Sequence, residues 1–112
     1  MTIQSLDETI IKSERRYWQR RKFRGNIEIY WGSTVLNASV RDIGPQGLFV
    51  ELIPPLWLGA TFHARLMLNP VLLLDCTVAR VDPARGIAVT FNVSADTGKA
   101  QLESLLLSLP VV

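Results

Sequence analysis

From Asn26 to Phe91 the chain alternates apolar and polar residues with a period of two, and glycine, proline and asparagine cut that repeat at short intervals. This pattern allows little besides short antiparallel strands. In Asn26–Trp31, Ile27, Ile29 and Trp31 alternate with Asn26, Glu28 and Tyr30. Gly32-Ser33 marks a turn, and Val35–Asp42 is the return strand, with Leu36, Ala38 and Val40 on one face. Gly44-Pro45-Gln46-Gly47 breaks it, and Gly47–Leu52 follows as a third strand. Pro54-Pro55 ends that strand, because proline cannot donate to a ladder. Thr61–Leu68, Val71–Asp82 and Ile87–Phe91 complete the set, separated by Asn69-Pro70 and by Pro83-Ala84-Arg85-Gly86. Six strands with turns at regular spacing predict an all-β fold, a small antiparallel barrel or sandwich. The length of 112 residues suits one domain, and a hydrophobic share of 48% supplies its core.

The pattern changes at both ends. Leu102, Leu105, Leu106 and Leu109 fall at helical spacing, which predicts a C-terminal helix over 95–109, capped by Ser94 and ended by Pro110. Such a helix lies across an open end of the barrel or against a partner. Residues 1–14 read as a tail or one short helix, with Ser5 as N-cap and Glu8 three residues on.

Charge is segregated. Arg15–Arg24 reads RRYWQRRKFR and holds six of the twelve Lys and Arg side chains with no acid, while the rest carries six basic and ten acidic residues, a net −4. A cationic segment joined to a slightly acidic domain implies an anionic ligand: a polymer, a membrane surface or a small phosphorylated molecule. Residues 15–24 read as a loop, mobile without a ligand because six cations repel one another.

The residues of catalysis are scarce. His63 stands alone in an alternating strand and reads as a surface residue. Cys76 lies among apolar neighbours and reads as a buried structural thiol. One cysteine forms no disulfide within the chain and no multi-cysteine metal site. No HExxH, nucleophile elbow, phosphate-binding loop or dinucleotide fingerprint is present, and the acids are scattered singly. The expectation is a binding domain rather than an enzyme, with no cofactor or metal. No signal peptide or long apolar run is visible, so a cytoplasmic location is expected.

Two motifs point to a ligand. Arg16-Tyr17-Trp18-Gln19-Arg20 is an R-x-x-x-R spacing. Guanidinium groups make bidentate contacts to phosphate oxygens and stack on flat rings, so two of them suit a phosphorylated purine ligand. Arg20-Arg21-Lys22-Phe23-Arg24 offers a second frame for the same spacing. Asp42-Ile43-Gly44-Pro45-Gln46-Gly47 places a carboxylate at a strand end beside a glycine turn. A carboxylate accepts from the N1–H and N2–H of guanine, and glycine lets a ligand approach the backbone. A plain strand-connecting turn, with Asp42 bonded to its own backbone, is the other reading of that segment.

Taken together on this strand pattern, the motifs resemble the PilZ domain, a bacterial six-stranded antiparallel barrel that binds the second messenger cyclic di-GMP. The resemblance runs from Glu14 to the C-terminal helix. Arg16 and Arg20 match the family's R-x-x-x-R, and Asp42 to Gly47 match its [D/N]-x-S-x-x-G. The hairpin Val78-Ala79-Arg80-Val81 to Gly86–Phe91 matches the family's closing strands. With Arg20 as the second arginine, 22 positions separate it from Asp42, which favours the Arg16/Arg20 frame. The resemblance implies a PilZ domain over 15–112, made of an arginine loop at 15–24, a barrel at 26–92 and the helix at 95–109. It implies cyclic di-GMP as ligand, with Arg15, Arg16, Arg20, Asp42, Gly44 and Gly47 at the site. Arg15 occupies the place that the family links to stoichiometry, where it would stack on a second ligand molecule. Gly44 stands where the family has serine. Loss of that hydroxyl would cost about 0.5–1.5 kcal/mol of binding, up to about tenfold.

The implied role is a switch. Ordering the loop costs about 1–2 kcal/mol per backbone residue, offset by charge-assisted bonds of about 1.5–3 kcal/mol each. The output is protein–protein contact with an unidentified partner, in motility, biofilm, exopolysaccharide or virulence control. Rival readings are a PilZ protein that has lost its ligand and acts by contact alone, a nucleic-acid-binding barrel, and a membrane-surface arm. Nucleic acid is disfavoured because Arg41, Arg65, Arg80 and Arg85 are spread out and form no second basic stripe. Leu56-Trp57-Leu58 reads as a rim-packed loop or a partner patch, and the apolar C-terminus leaves room for a homodimer.

Overall fold

The computed structural model describes residues 19–110. The strands are β1 (Arg21–Trp31), β2 (Thr34–Ile43), β3 (Gly47–Glu51), β4 (Thr61–Leu66), β5 (Leu72–Asp82) and β6 (Gly86–Val93), followed by one helix, α1 (Asp96–Ser108). They close into an antiparallel barrel in the order β1-β2-β3-β6-β5-β4, with β1 and β4 joining the ends from Ile27↔Leu66 to Tyr30↔His63. The alternation fills its interior: Ile27, Ile29, Val40, Leu48, Val50, Leu66, Leu72, Leu74, Val78, Ile87 and Val89 are buried in one cluster. Leu102 and Leu106 join the cluster from α1, which packs on β5 and β6.

Two expectations are corrected. β1 begins at Arg21, so Arg21–Arg24 of the basic segment are strand rather than loop. The period of two continues through it: Arg21 is buried, Lys22 and Arg24 are exposed, and Phe23 packs against the core. Charge at Arg21 disguises an inward position. Ser94 does not cap α1. Ala95 occupies the N-cap with no side-chain bond, and the Ser94 N–H donates to the Leu73 carbonyl. The Leu56–Leu58 loop is split, since Leu56 is buried while Trp57 and Leu58 are exposed. Trp57 sets its ring edge-on to Trp31 at 4.7 Å.

The segment that follows α1 meets the start of β1. The Lys22 N–H donates to the Pro110 carbonyl at 3.2 Å, and an Arg21 Nη1 donates to the Leu109 carbonyl at 3.3 Å. The last turn of α1 contains no basic residue, so Arg21 brings the cation that its carbonyl end favours. Residues 1–14, with the tail or helix expected there, lie outside the described residues, as do Val111 and Val112.

Candidate functional site

β1 and β2 run antiparallel with Lys22 opposite Asp42, which sets Arg20 beside the C-terminal end of β2. There the Arg20 guanidinium donates twice to one Asp42 oxygen, Oδ1, from Nε at 3.0 Å and from Nη2. The other oxygen, Oδ2, accepts from Arg41 Nε at 3.0 Å. Asp42 is nearly buried, and these bonds make its burial tolerable.

The turn after Asp42 is closed by the Gly44 N–H donating to the Gly47 carbonyl at 2.7 Å. Arg20 lies over this turn. A Cβ on Gly47 would stand 3.0 Å from the Val89 carbonyl oxygen and 3.1 Å from an Arg20 Nη1. A side chain at Gly47 would thus crowd the β3–β6 approach and press on Arg20, both of which would have to give by a few tenths of an ångström. A Cβ on Gly44 meets Arg20 Cδ at 3.4 Å, an ordinary contact, so that position has room for a small side chain.

Two bulges border the turn. In the β2–β3 ladder Val40 pairs with Val50 and Asp42 with Phe49, leaving Arg41 as the extra residue. In the β5–β6 ladder Val78 pairs with Val89 and Arg80 with Ala88, leaving Ala79 as the extra residue. Bulges bend a strand and re-aim its side chains. Between them opens a cleft of about 640 Å³, whose lining includes Arg20, Arg41, Asp42, Gly44, Gly47 and Arg80. Three guanidinium groups face one carboxylate there, so the cleft is cationic. On its other side Arg41 also borders a cleft of about 550 Å³ with Glu51 and Arg85, and Glu51 pairs with Arg24.

Of the residues singled out from sequence, Arg20, Asp42, Gly44 and Gly47 come together at this cleft. Arg15 and Arg16 lie outside the described residues. Arg41, Phe49 and Arg80 were not singled out. The available signal was a basic residue beside the motif's acid and an aromatic on the next strand. His63 lies on the barrel surface with Nδ1 at 2.6 Å from Asp75 Oδ1. Cys76 is buried, and that burial, with the nearby Asp75 charge, pushes its thiol up to about 12. Neither residue lines the cleft. Among the described residues no helix is long and apolar enough to cross a membrane.

The family model of the PilZ domain matches residues 14–108. No curated protein matches the chain. A solved structure titled "Structure of Bacillus subtilis Inhibitor of motility (MotI/DgrA)" is similar with a TM-score of 0.64 and 16% identity. The match covers 80% of this chain and 48% of that one, so the chain spans about half the length of that protein.

Proposed function

The chain belongs to the PilZ domain family, and from that premise we propose that it is a bacterial, cytoplasmic receptor for cyclic di-GMP that signals through contact with another protein. The observation that carries this reading is the convergence of Arg20, Asp42, Gly44 and Gly47 on one cationic cleft. Cyclic di-GMP offers two phosphodiester anions for the arginines and guanine N–H donors for Asp42. A carboxylate accepts about four hydrogen bonds. Arg20 and Arg41 already occupy three of them on Asp42. A guanine edge brings two donors, so Arg20 gives up a bond to Asp42 as it turns to a phosphate. Arg16 is the second clamp, and Arg15 stacks on a second ligand molecule where two are bound.

The neighbours of Arg20 give this movement a route outward. Arg21 and Lys22 hold the carbonyls of Leu109 and Pro110 at the end of α1. A shift at Arg20 reaches that junction within one or two residues. It also reaches residues 1–14, which precede the arginine segment. The end of α1 is the part of the described structure through which such a shift would present or withdraw a partner surface. The structural neighbour is an inhibitor of motility, which accords with an adaptor in motility control; biofilm, exopolysaccharide and virulence control use the same logic.

The test is isothermal titration of the chain with cyclic di-GMP, beside an Arg16→Ala/Arg20→Ala double variant and a GTP control. Micromolar or tighter binding, abolished in the double variant, is expected, and about two ligands per chain would support the role given to Arg15. One observation favours a second reading: Asp42 is already held by two arginines while Gly44 brings no hydroxyl. In that reading the domain has lost its ligand and acts by contact alone. Absence of heat and of thermal shift at hundreds of micromolar ligand would establish it over the first.

A further inference from the structure

We propose that Arg41 is a further ligand-contacting residue, one that reads guanine beside Asp42 and supplies the hydrogen bond that Gly44 cannot. The inference rests on the cyclic di-GMP reading and deepens it. Arg41 is the extra residue of the β2 bulge, so its side chain is released from the regular alternation at the edge of the cleft. Two contacts then fix it. Its Nε donates to Asp42 Oδ2 at 3.0 Å, and its guanidinium carbon lies 3.9 Å over the centre of the Phe49 ring. A guanidinium held by both an acid and an aromatic face is a rigid, flat donor. Only Nε is directed at Asp42, and a guanidinium carries four more N–H donors on its terminal nitrogens.

The chemistry of guanine fits this pair. Along its edge run the N2 and N1 donors, then the O6 acceptor, then N7. Asp42 and Arg41 are adjacent in sequence and bonded to each other, so acceptor and donor are presented side by side. Asp42 takes the N–H groups and Arg41 donates to O6, the contact arginine characteristically makes with guanine. Adenine reverses the pattern, with an acceptor at N1 and a donor at N6, and so meets the pair with both signs wrong. Arg41 therefore contributes selectivity as well as affinity. A Cβ at Gly44 approaches Arg20 rather than Arg41, with Arg20 Cδ at 3.4 Å and Nη1 at 3.8 Å. A serine there and Arg41 would thus act from different sides, each adding its own bond to the ligand, so that one offsets part of the affinity lost with the other.

The experiment is titration with cyclic di-GMP and with cyclic di-AMP at fixed salt. It uses the wild-type chain, Arg41→Ala, Arg41→Lys, Gly44→Ser, Arg41→Ala/Gly44→Ser, and Arg85→Ala as a charge control from the neighbouring cleft. Arg41→Ala should weaken cyclic di-GMP binding tenfold or more and narrow its preference over cyclic di-AMP. Arg41→Lys should lose nearly as much, because an ammonium keeps the charge but not the fork. Arg85→Ala should stay within about twofold, and Gly44→Ser should restore part of the Arg41→Ala loss. Thermal melting checks each fold, and Arg41→Lys decides the question where Arg41→Ala is unfolded. Wild-type binding with Arg41→Ala and Arg41→Lys within twofold of it would overturn the role of Arg41 and leave the receptor reading standing. Binding by Gly44→Ser alone would show that Arg41 does not replace the hydroxyl. No binding by any chain would overturn the cyclic di-GMP reading, and Arg41 with it.

Discussion

Arg20 and Asp42, 22 positions apart in the chain, meet through two donors of one guanidinium on a single carboxylate oxygen, Oδ1. Breaking this pair separates its proposed ligand role from its structural one. Asp42→Asn keeps the shape and removes the charge. The Arg20 side chain is 43% exposed and that of Asp42 12%, so solvent screens much of the attraction. The expected stability loss is about 0.5–1.5 kcal/mol by urea denaturation. Asp42→Ala, which removes the acceptor that Asn would keep, should lower cyclic di-GMP binding at least tenfold by titration. Equal affinity of Asp42→Ala and wild type would remove Asp42 from the site.

Arg21 ties β1 to the end of α1. Arg21→Met fills the buried position without the charge, leaving the Leu109 carbonyl without its guanidinium donor. A cation at a helix C-terminus contributes about 0.3–2 kcal/mol. Amide hydrogen exchange in the last turn of α1 should therefore accelerate by about twofold to thirtyfold, while exchange in the buried parts of β5 and β6 stays unchanged. Uniform acceleration across the barrel would show that Arg21 supports the whole fold instead.

The β5–β6 turn should not tolerate any side chain at Gly86. Its φ is 151°, and a Cβ there would fall 2.0 Å from the Val50 carbonyl oxygen. Gly86→Ala must displace β3 from β6 and is expected to cost about 2–4 kcal/mol, at the upper end of single substitutions. A midpoint within error of wild type in urea would contradict the close approach.

Cys76 gives a pH signature. Its thiol is pushed up to about 12 from 9.0, first by burial and then by the Asp75 charge. Above pH 9 the unfolded chain loses this proton while the folded chain retains it. Stability therefore falls as pH rises from about 9 towards 12, by up to about 1.4 kcal/mol per pH unit. Below pH 9 the contribution is fully present. Cys76→Ala should lower stability at neutral pH through the cavity it leaves and flatten the alkaline slope relative to wild type. Parallel urea curves for the two chains from pH 8 to 10.5 make the comparison, and an equal slope in both would refute it.

The barrel was legible because its strands are buried on one face, and Ile27, Ile29, Phe62, Ala64, Ile87 and Val89 announce that face by alternation. The beginning of β1 was hidden because an arginine fills an inward position, and a cation there looks like loop. The bulges were hidden for a more general reason. An extra residue breaks the period by which strands are recognised, and its pairing depends on strands distant in sequence. Arg41 was passed over on that account, although its neighbour Asp42 was not. Arg20, Asp42, Gly44 and Gly47 were singled out through the resemblance to the family's two motifs, and the register of β1 on β2 with the glycine turn brings them to one cleft. The start of α1 was legible only to within a residue or two, because its cap uses no side chain and leaves no mark at Ser94.

Each of the six strands has a hydrogen-bonded neighbour on both sides. Beyond the reach of β4, the Lys22 N–H is taken by the Pro110 carbonyl. The closure is uneven: among the described residues Thr34–Ala38 of β2 pair with β1 alone, because the β3 ladder begins at Ser39, so this short stretch is the sheet edge an incoming peptide would extend. Where both sides of a strand are paired, recognition falls to side chains and shape, and a single surface substitution is then enough to change it.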